Sequence, residues 1–229
     1  NLAEGHGLVW NPEEKVEGYS NFLWTLIMAG GHLLPLHMAH SSLAIKIINL
    51  LLAGCILLLS ENILRLLLPQ TRIGVPALLL SLVLCCDLVF WSANGFETTL
   101  LTATFLWAIK LLLEDAQRGQ TRKLPFVLMA LLPLIRADAF FPWAGAALLA
   151  FSTSPKRGRT VLMLGYSLTL PLLHLLWRHN YYGEWLPNTY YLKVQDAPDT
   201  LIKGIKYILV FGRNYALPFF LAALAVVSQ

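Results

Sequence analysis

Long apolar stretches separated by short charged loops run through most of this chain, and they constrain its fold more than any other feature. Of the 229 residues, 57% are hydrophobic and 13% are charged, and the mean hydropathy is +0.61. Soluble domains carry roughly 25% charged residues, so a soluble protein of this length could not bury so much apolar surface. In a bilayer, backbone polar groups must be satisfied internally, which favours helices. The sequence therefore predicts an all-α, polytopic transmembrane helical bundle.

The same pattern predicts the organisation of the chain along its length. We expect a first outer loop with a juxtamembrane helix, then six short spans, an outer aromatic loop and a truncated span, at 1–42, 43–177, 178–214 and 215–229. The six spans are expected at 43–63, 75–91, 98–113, 124–136, 139–152 and 159–177. Several fall short of the roughly 20 apolar residues that cross a bilayer, so they must pack on protein or line a wet cavity. The polar start and the short last stretch predict a fragment truncated at both ends.

Basic residues predict the orientation of the spans. They lie in three loops. The first contains Arg65 and Arg72, the second Lys110, Arg118, Arg122 and Lys123, and the third Lys156, Arg157 and Arg159. Because Lys and Arg favour the cytoplasmic side, the alternating loops at 92–97, 136–138 and 178–214 are expected outside the cytoplasmic membrane. The first loop lies on that side if the stretch 21–36 does not cross. We interpret 21–36 and the amphipathic piece 201–211 as interface helices, and a true span at either place is the alternative.

This orientation gathers charged side chains at the outer membrane surface, namely Glu17, Glu97, Arg136, Asp138 and Lys193. A guanidinium offers a bidentate match to phosphate, so Arg136 is a candidate for an anionic headgroup, with a salt bridge to Asp138 as the alternative. Lys193 is a second candidate for phosphate, or it snorkels to the interface. Glu97 either serves the site or favours the dipole of a helix that starts at Thr98.

Asp87 and an aromatic run supply further candidates. A carboxylate inside a span is costly, so Asp87 is a functional candidate; the alternative is an interfacial residue with a partner on a neighbouring helix. The run 181–193 holds four Tyr and one Trp among turn residues. Aromatic rings with hydroxyls suit a sugar, which has apolar faces and hydrogen-bonding rims, whereas a plain aromatic belt is the alternative.

The cysteines, histidines and basic residues indicate neither a metal site nor a nucleic-acid partner. Cys55, Cys85 and Cys86 lie inside apolar stretches and are interpreted as small buried hydrophobic residues. The histidines have no spacing typical of metal ligands. The basic residues sit in short loops between spans rather than on one face.

Four segments, at 5–24, 93–100, 134–140 and 182–193, together resemble the GT-C glycosyltransferases. They read GHGLVWNPEEKVEGYSNFLW, ANGFETTL, LIRADAF and YGEWLPNTYYLK. The likeness is strongest to the branch that contains the terminal arabinofuranosyltransferases, and it runs in order along essentially the whole chain. The first and last segments are the specific ones.

The resemblance implies an activity and a role for each candidate. Such enzymes take a sugar from a polyprenyl-phosphate carrier outside the cytoplasmic membrane and pass it to a glycan, lipid or protein acceptor. By resemblance, Arg136 and Lys193 stabilise the departing phosphate. By the same resemblance, Glu17, Glu97 and Asp138 bind sugar hydroxyls, orient a divalent cation or hold Arg136 in place, and Asn188, Tyr190 and Tyr191 shape the pocket for the sugar or the carrier. Tyr19 and Asp87 are further candidates for substrate binding.

One part of the family pattern falls outside the chain. In this family an acidic motif follows the first span and supplies the general base that deprotonates the acceptor hydroxyl. We expect that motif and that span upstream of Asn1, so the chain is expected to lack its catalytic residue and to be inactive alone. No cofactor follows from the sequence, and a divalent cation stays an open alternative.

A transporter or flippase for a lipid-linked sugar is the alternative function. It predicts polar residues along the depth of several spans and often an internal repeat. The sequence has no clear repeat, and its strongly polar residues gather near one face. A structural subunit without chemistry would not need two turn-rich aromatic segments. The sugar, the acceptor, the carrier length and the oligomeric state are left open.

Overall fold

The structure, a computed structural model, describes residues 1–33, 38–69, 86–194, 198–216 and 220. Its helices are α1 (Phe22–His32), α2 (Met38–Leu67), α3 (Cys86–Ala93), α4 (Thr98–Arg118), α5 (Leu124–Ile135), α6 (Phe140–Thr153), α7 (Arg157–Tyr182), α8 (Asn188–Val194) and α9 (Pro198–Asn214), with a 3₁₀ turn at Ala137–Ala139. No strand occurs within these ranges. The prediction of an all-α membrane helical bundle is confirmed.

Two of the described helices are long and apolar enough to cross a bilayer. They are His40–Leu67, which is 28 residues of α2, and α7, which has 26 residues. At 1.5 Å per residue, both exceed the roughly 30 Å of a hydrocarbon core. α3 and α4 meet the same criterion only as a pair, bent by 119°, which is a broken span or a re-entrant loop.

The helix bounds differ in detail from the predicted spans. The stretches 43–63 and 159–177 lie inside α2 and α7, which continue beyond them at both ends. Residues 178–182, which the sequence pattern assigns to the outer aromatic loop, therefore belong to the end of α7. The expected spans at 75–91 and 215–229 fall largely outside the described residues.

One face of α2 is exposed and apolar. Leu51, Cys55 and Leu58 follow the helical spacing of three to four residues, and all three are exposed. Such a face suits contact with lipid tails. The prediction that Cys55 is buried is therefore wrong, because its side chain lies on this outward face. Cys85 and the side chain of Cys86 lie outside the described residues.

The core surrounds the short helix α5. Nine of its 12 residues are buried, and it packs against α1, α4, α6 and α7. Met129 of α5 is fully buried, and Ala146 and Ala150 of α6 lie one turn apart in the same core. Small residues let neighbouring helices approach closely. A helix too short to span a bilayer is tolerated here because its partners are protein.

The turn from α4 to α5 is fixed by a buried carboxylate. Gly119 ends α4 in the left-handed conformation, at φ 61°, and the chain then turns back. Asp115 accepts a hydrogen bond from the backbone N–H of Arg122 at 2.8 Å and a second from its guanidinium. Glu114 accepts another from Arg122 at 3.0 Å. Arg122 is thus neutralised where two core helices join.

Residues 188–229 form a separate compact unit. Its first helix, α8, carries the candidates Asn188, Tyr190, Tyr191 and Lys193. The predicted amphipathic piece 201–211 lies inside α9, where Lys203 and Lys206 are exposed among Ile and Tyr residues. Its position in the membrane interface stays a prediction.

We expect the Asp115→Asn substitution to destabilise the bundle. The variant loses the charged acceptor of two hydrogen bonds, and charge-assisted bonds of this kind contribute about 1–3 kcal/mol. The melting temperature of the full-length protein in detergent should fall by several degrees. Glu13→Gln, which changes an exposed carboxylate, is the matched control. Equal melting of Asp115→Asn and the control would contradict the assigned role.

Candidate functional site

Arg136 has an extended backbone conformation, with a φ of −149°, and lies between α5 and the 3₁₀ turn. Its Nη1 donates to Oε1 of Glu97 at 3.0 Å. Its Nε and Nη2 donate to the two carboxylate oxygens of Asp138, both at 2.9 Å. The three charged candidates Glu97, Arg136 and Asp138 are therefore in direct contact, and the salt bridge that we considered for Arg136 is present.

Glu97 holds this group in place because both of its oxygens are used. Its second oxygen, Oε2, accepts a hydrogen bond from Nδ2 of Asn21 at 2.9 Å, and Asn21 in turn accepts one from the Thr25 hydroxyl at 3.1 Å. Asn21 occupies the N-cap position of α1 and Glu97 that of α4, but the side chain of neither bonds to the backbone of its own helix. We call Asn21, Glu97, Arg136 and Asp138 the Arg136 cluster. It ties the starts of two helices to the end of α5.

The turn before α4 aims Glu97 at Arg136. Gly95 adopts a φ of 75°, a conformation that a side chain would strain, and it lets the chain reverse between α3 and α4. The helix starts at Thr98 as predicted, so Glu97 stands immediately before its first turn. The Glu97 carboxylate therefore faces Arg136 at the end of α5 rather than the backbone of α4.

The electrostatics of the cluster leave part of Arg136 available. The hydrogen bonds with Asp138 raise the pKa of Arg136 above its ordinary value, and those with Arg136 lower the pKa of Asp138. Both groups are therefore charged at neutral pH. The side chain of Glu97 is 8% exposed, that of Arg136 37% and that of Asp138 61%, so the cluster opens on the side of Arg136 and Asp138. A guanidinium has five N–H groups, and the described contacts use three.

A second ion pair anchors the first loop. Arg178 lies near the end of α7, and its Nη2 donates to Oε1 of Glu17 at 3.0 Å. Both side chains are buried, 6% exposed for Arg178 and 3% for Glu17. Burial raises the pKa of Glu17 above its ordinary value, and the neighbouring guanidinium offsets this only in part. Glu17 therefore joins the loop to the bundle.

Aromatic side chains complete this anchor. The hydroxyls of Tyr19 and Tyr182 lie 3.1 Å apart, and the Tyr182 hydroxyl donates to the carbonyl of Leu8. Burial raises the pKa of Tyr19 above its ordinary value. Trp177 stacks on Tyr181 with ring centres 5.2 Å apart. Tyr19 and Glu17 thus lie together beside α7, and Asn21 of the Arg136 cluster follows them within a few residues.

The remaining candidates lie apart from this group or in the second unit. Asp87 is exposed in the first turn of α3. Tyr190 and Tyr191 pack edge to face, with ring centres 5.7 Å apart, and Asn188 begins the same helix. The side chain of Lys193 lies outside the described residues. Across the described ranges, no group of three or more His, Cys, Asp and Glu residues could hold a metal ion.

Sequence reasoning missed two residues of these contacts, Arg178 and Asn21. Arg178 follows a long apolar run, and a lone cation at the end of such a run is a signal for a buried partner. Asn21 directly precedes the apolar stretch that becomes α1, which is the usual place of a helix cap. Neither signal names its partner, because Glu17 and Glu97 are remote in the chain.

We expect Arg178→Met to release the first loop. It leaves the Glu17 carboxylate buried without its partner, and breaking a buried pair on one side costs about 3–5 kcal/mol. Tryptic cleavage after the exposed Lys15 should then become faster in the folded protein.

A second substitution tests the cause of that release. Adding Glu17→Gln to Arg178→Met removes the stranded charge, so cleavage should slow again. Arg159→Met, at an exposed site, is the control. If Arg178→Met were cleaved at the wild-type rate, the pair would not hold the loop.

Comparison with known proteins gives one informative likeness. No protein-family model and no solved structure matches the chain. The chain is similar to the terminal beta-(1->2)-arabinofuranosyltransferase of Mycobacterium tuberculosis (strain ATCC 25618 / H37Rv), with 27% identity over 231 residues. The match covers 95% of this chain and 36% of the relative, so the chain spans about a third of that protein's length. The likeness suggests that the chain is related to a glycosyltransferase.

Proposed function

We propose that this chain is part of an integral-membrane glycosyltransferase that takes its sugar from a polyprenyl-phosphate carrier. The acceptor is a glycan, a lipid or a protein, and the reaction takes place on the extracytoplasmic side. One observation carries the proposal: Arg136 is fixed by two carboxylates at the ends of apolar helices while 37% of its side chain stays exposed. The similarity to an arabinofuranosyltransferase supports the same class of reaction.

The reaction is a single displacement at the anomeric carbon. The acceptor hydroxyl oxygen bonds to that carbon as the bond from the carbon to the phosphate oxygen breaks. The phosphate leaves with the bonding electron pair, and a base takes the hydroxyl proton. By resemblance, that base is an acidic side chain.

Arg136 stabilises the negative charge that grows on the leaving phosphate. Two of its five N–H groups have no bond among the described contacts, and they suit two phosphate oxygens. Glu97 and Asp138 hold the guanidinium plane before the ligand binds, so little reorganisation is needed during the reaction. The cluster has two carboxylates and one cation, so the carboxylates also suit sugar hydroxyls, which donate to them.

The other candidates extend the site. Glu17 and Tyr19 set the position of the first loop beside α7. Asn188, Tyr190 and Tyr191 are assigned to the sugar or the carrier and Lys193 to a phosphate, with Asp87 a further candidate for substrate binding. These roles rest on the family resemblance. The sugar is arabinofuranose by the same likeness.

The positions of the ion pairs favour a transferase over a flippase. Glu97 stands at the start of α4, whereas Lys110, Glu114 and Asp115 lie in its last turns. Arg178 lies near the end of α7, just before its last turn. A transport pathway would need polar groups along the depth of the spans. The described pairs instead concentrate near helix ends, where a surface reaction takes place.

We expect Arg136→Ala to reduce sugar transfer by the full-length protein about 10²–10³-fold, the usual effect of removing one donor that stabilises developing charge. Arg136→Lys should recover only part of the rate, because an ammonium cannot bind bidentately. The measurement is transfer from a panel of synthetic polyprenyl-phosphate sugars in nanodiscs. Arg159→Ala, at an exposed basic site, is the control.

Two results would contradict the proposal. Unchanged transfer by Arg136→Ala would remove Arg136 from the site. Lack of transfer by the wild-type protein from every donor, together with retained binding of the lipid-linked sugars, would favour the flippase.

A further inference from the structure

Trp10 is a large aromatic side chain with 67% of its surface exposed. It lies in the first loop, between Leu8, whose carbonyl accepts a hydrogen bond from Tyr182, and the buried Glu17. A single exposed hydrophobic residue needs no explanation by itself. Trp10 differs from such a residue because the structure fixes its backbone and its ring.

The backbone of Trp10 is held from both sides. Its N–H donates to the carbonyl of Val16 at 2.9 Å, which closes the loop between them. The side-chain amide of Asn1 donates to the carbonyls of Val9 and Trp10, at 3.0 and 2.8 Å. These bonds restrain a water-facing loop before a ligand binds, which lowers the ordering cost of binding.

The ring of Trp10 is fixed by Gly18. A Cβ added at Gly18 would lie 2.5 Å from Cε3 of Trp10 and 3.1 Å from its Cβ. The indole therefore rests directly on the glycine backbone, and only a glycine permits this approach. One side of the ring is covered, and the rest faces solvent.

The neighbours of Trp10 are acceptors of hydrogen bonds. Asn11 donates to Glu14 at 3.1 Å, which fixes that carboxylate beside the loop, and Glu13 is exposed next to it. Lys15 is turned away, with its ammonium 5.6 Å from the centre of the Tyr181 ring. An exposed aromatic ring and carboxylates carried by one short loop match a sugar, whose C–H face is apolar and whose hydroxyls donate.

The same charges argue against a membrane anchor. Like charges repel, so a loop rich in carboxylates is not attracted to an anionic membrane surface. Around Trp10 the exposed charges are mainly carboxylates, Glu13 and Glu14 among them, which an anionic surface repels. A neutral sugar is the occupant that the charge pattern favours.

We propose that Trp10, seated on Gly18 in a closed loop that also carries Glu13 and Glu14, is a stacking platform for a sugar ring of the acceptor glycan. The inference rests on the proposed function, which supplies the acceptor. It assigns the platform to the acceptor because the donor sugar is tied to a phosphate in the membrane. A polar loop suits a glycan that arrives from water.

The experiment measures transfer kinetics of the full-length enzyme in nanodiscs with a synthetic arabinofuranosyl hexasaccharide as acceptor. Trp10→Ala should raise the KM for the acceptor about tenfold, the loss expected for one stacking contact, and leave kcat and the donor KM within twofold. Gly18→Ala, which keeps the indole but displaces it, should shift the acceptor KM in the same direction. Gly30→Ala is the control, since an added Cβ there meets nothing within 4 Å.

Two further measurements separate the platform from the proposed function. Saturation-transfer NMR should show contact between the hexasaccharide and the wild-type protein, whether or not transfer occurs. This contact should weaken in Trp10→Phe and weaken further in Trp10→Ala. The fluorescence of Trp10 is the difference between the signals of wild type and Trp10→Phe. Brominated lipids in the nanodiscs should not quench it. An unchanged acceptor KM, unchanged glycan contact, or quenching by brominated lipid would each overturn the platform. Loss of all wild-type transfer with glycan contact retained would overturn the proposed function alone.

Discussion

The hydrogen-bonded pair of Glu97 and Arg136 joins three helix ends at one point. Glu97 is buried at the start of α4, Arg136 follows the end of α5, and Asn21 brings the start of α1 to the same carboxylate. A buried carboxylate is stable only with partners, so the pair fixes how these helices meet. The partly exposed side of Arg136 is what a substrate can reach.

A second polar joint positions the loop that leads into this cluster. Glu17 and Arg178 connect the first loop to the end of α7, and the hydroxyls of Tyr19 and Tyr182 continue the connection. Trp10 belongs to the same loop, and hydrogen bonds within the loop hold its backbone. The bundle therefore provides hydrophobic support, while a few desolvated charges and aromatic rings decide the shape of its polar surface. Those surface groups are where chemistry on a sugar is proposed.

The sequence predicted the parts that depend on composition and local pattern. The all-α membrane class followed from the low charge, the start of α4 at Thr98 followed from its turn, and Arg136 and Asp138 are close because they are two residues apart. The long-range partners could not be predicted in this way. Glu17 meets Arg178 across 161 residues, and the outward direction of Cys55 depends on which face of α2 packs. Those facts belong to tertiary packing rather than to local pattern.

The central claim is that Arg136 holds the phosphate of the departing carrier. Its most direct test is an electron cryo-microscopy structure of the full-length protein in nanodiscs with a non-hydrolysable polyprenyl-phosphonate sugar. The account predicts phosphonate oxygens at hydrogen-bond distance, about 3 Å, from the guanidinium of Arg136, with the sugar beside Asp138. A phosphonate bound elsewhere, with Arg136 still contacting only Glu97 and Asp138, would contradict it.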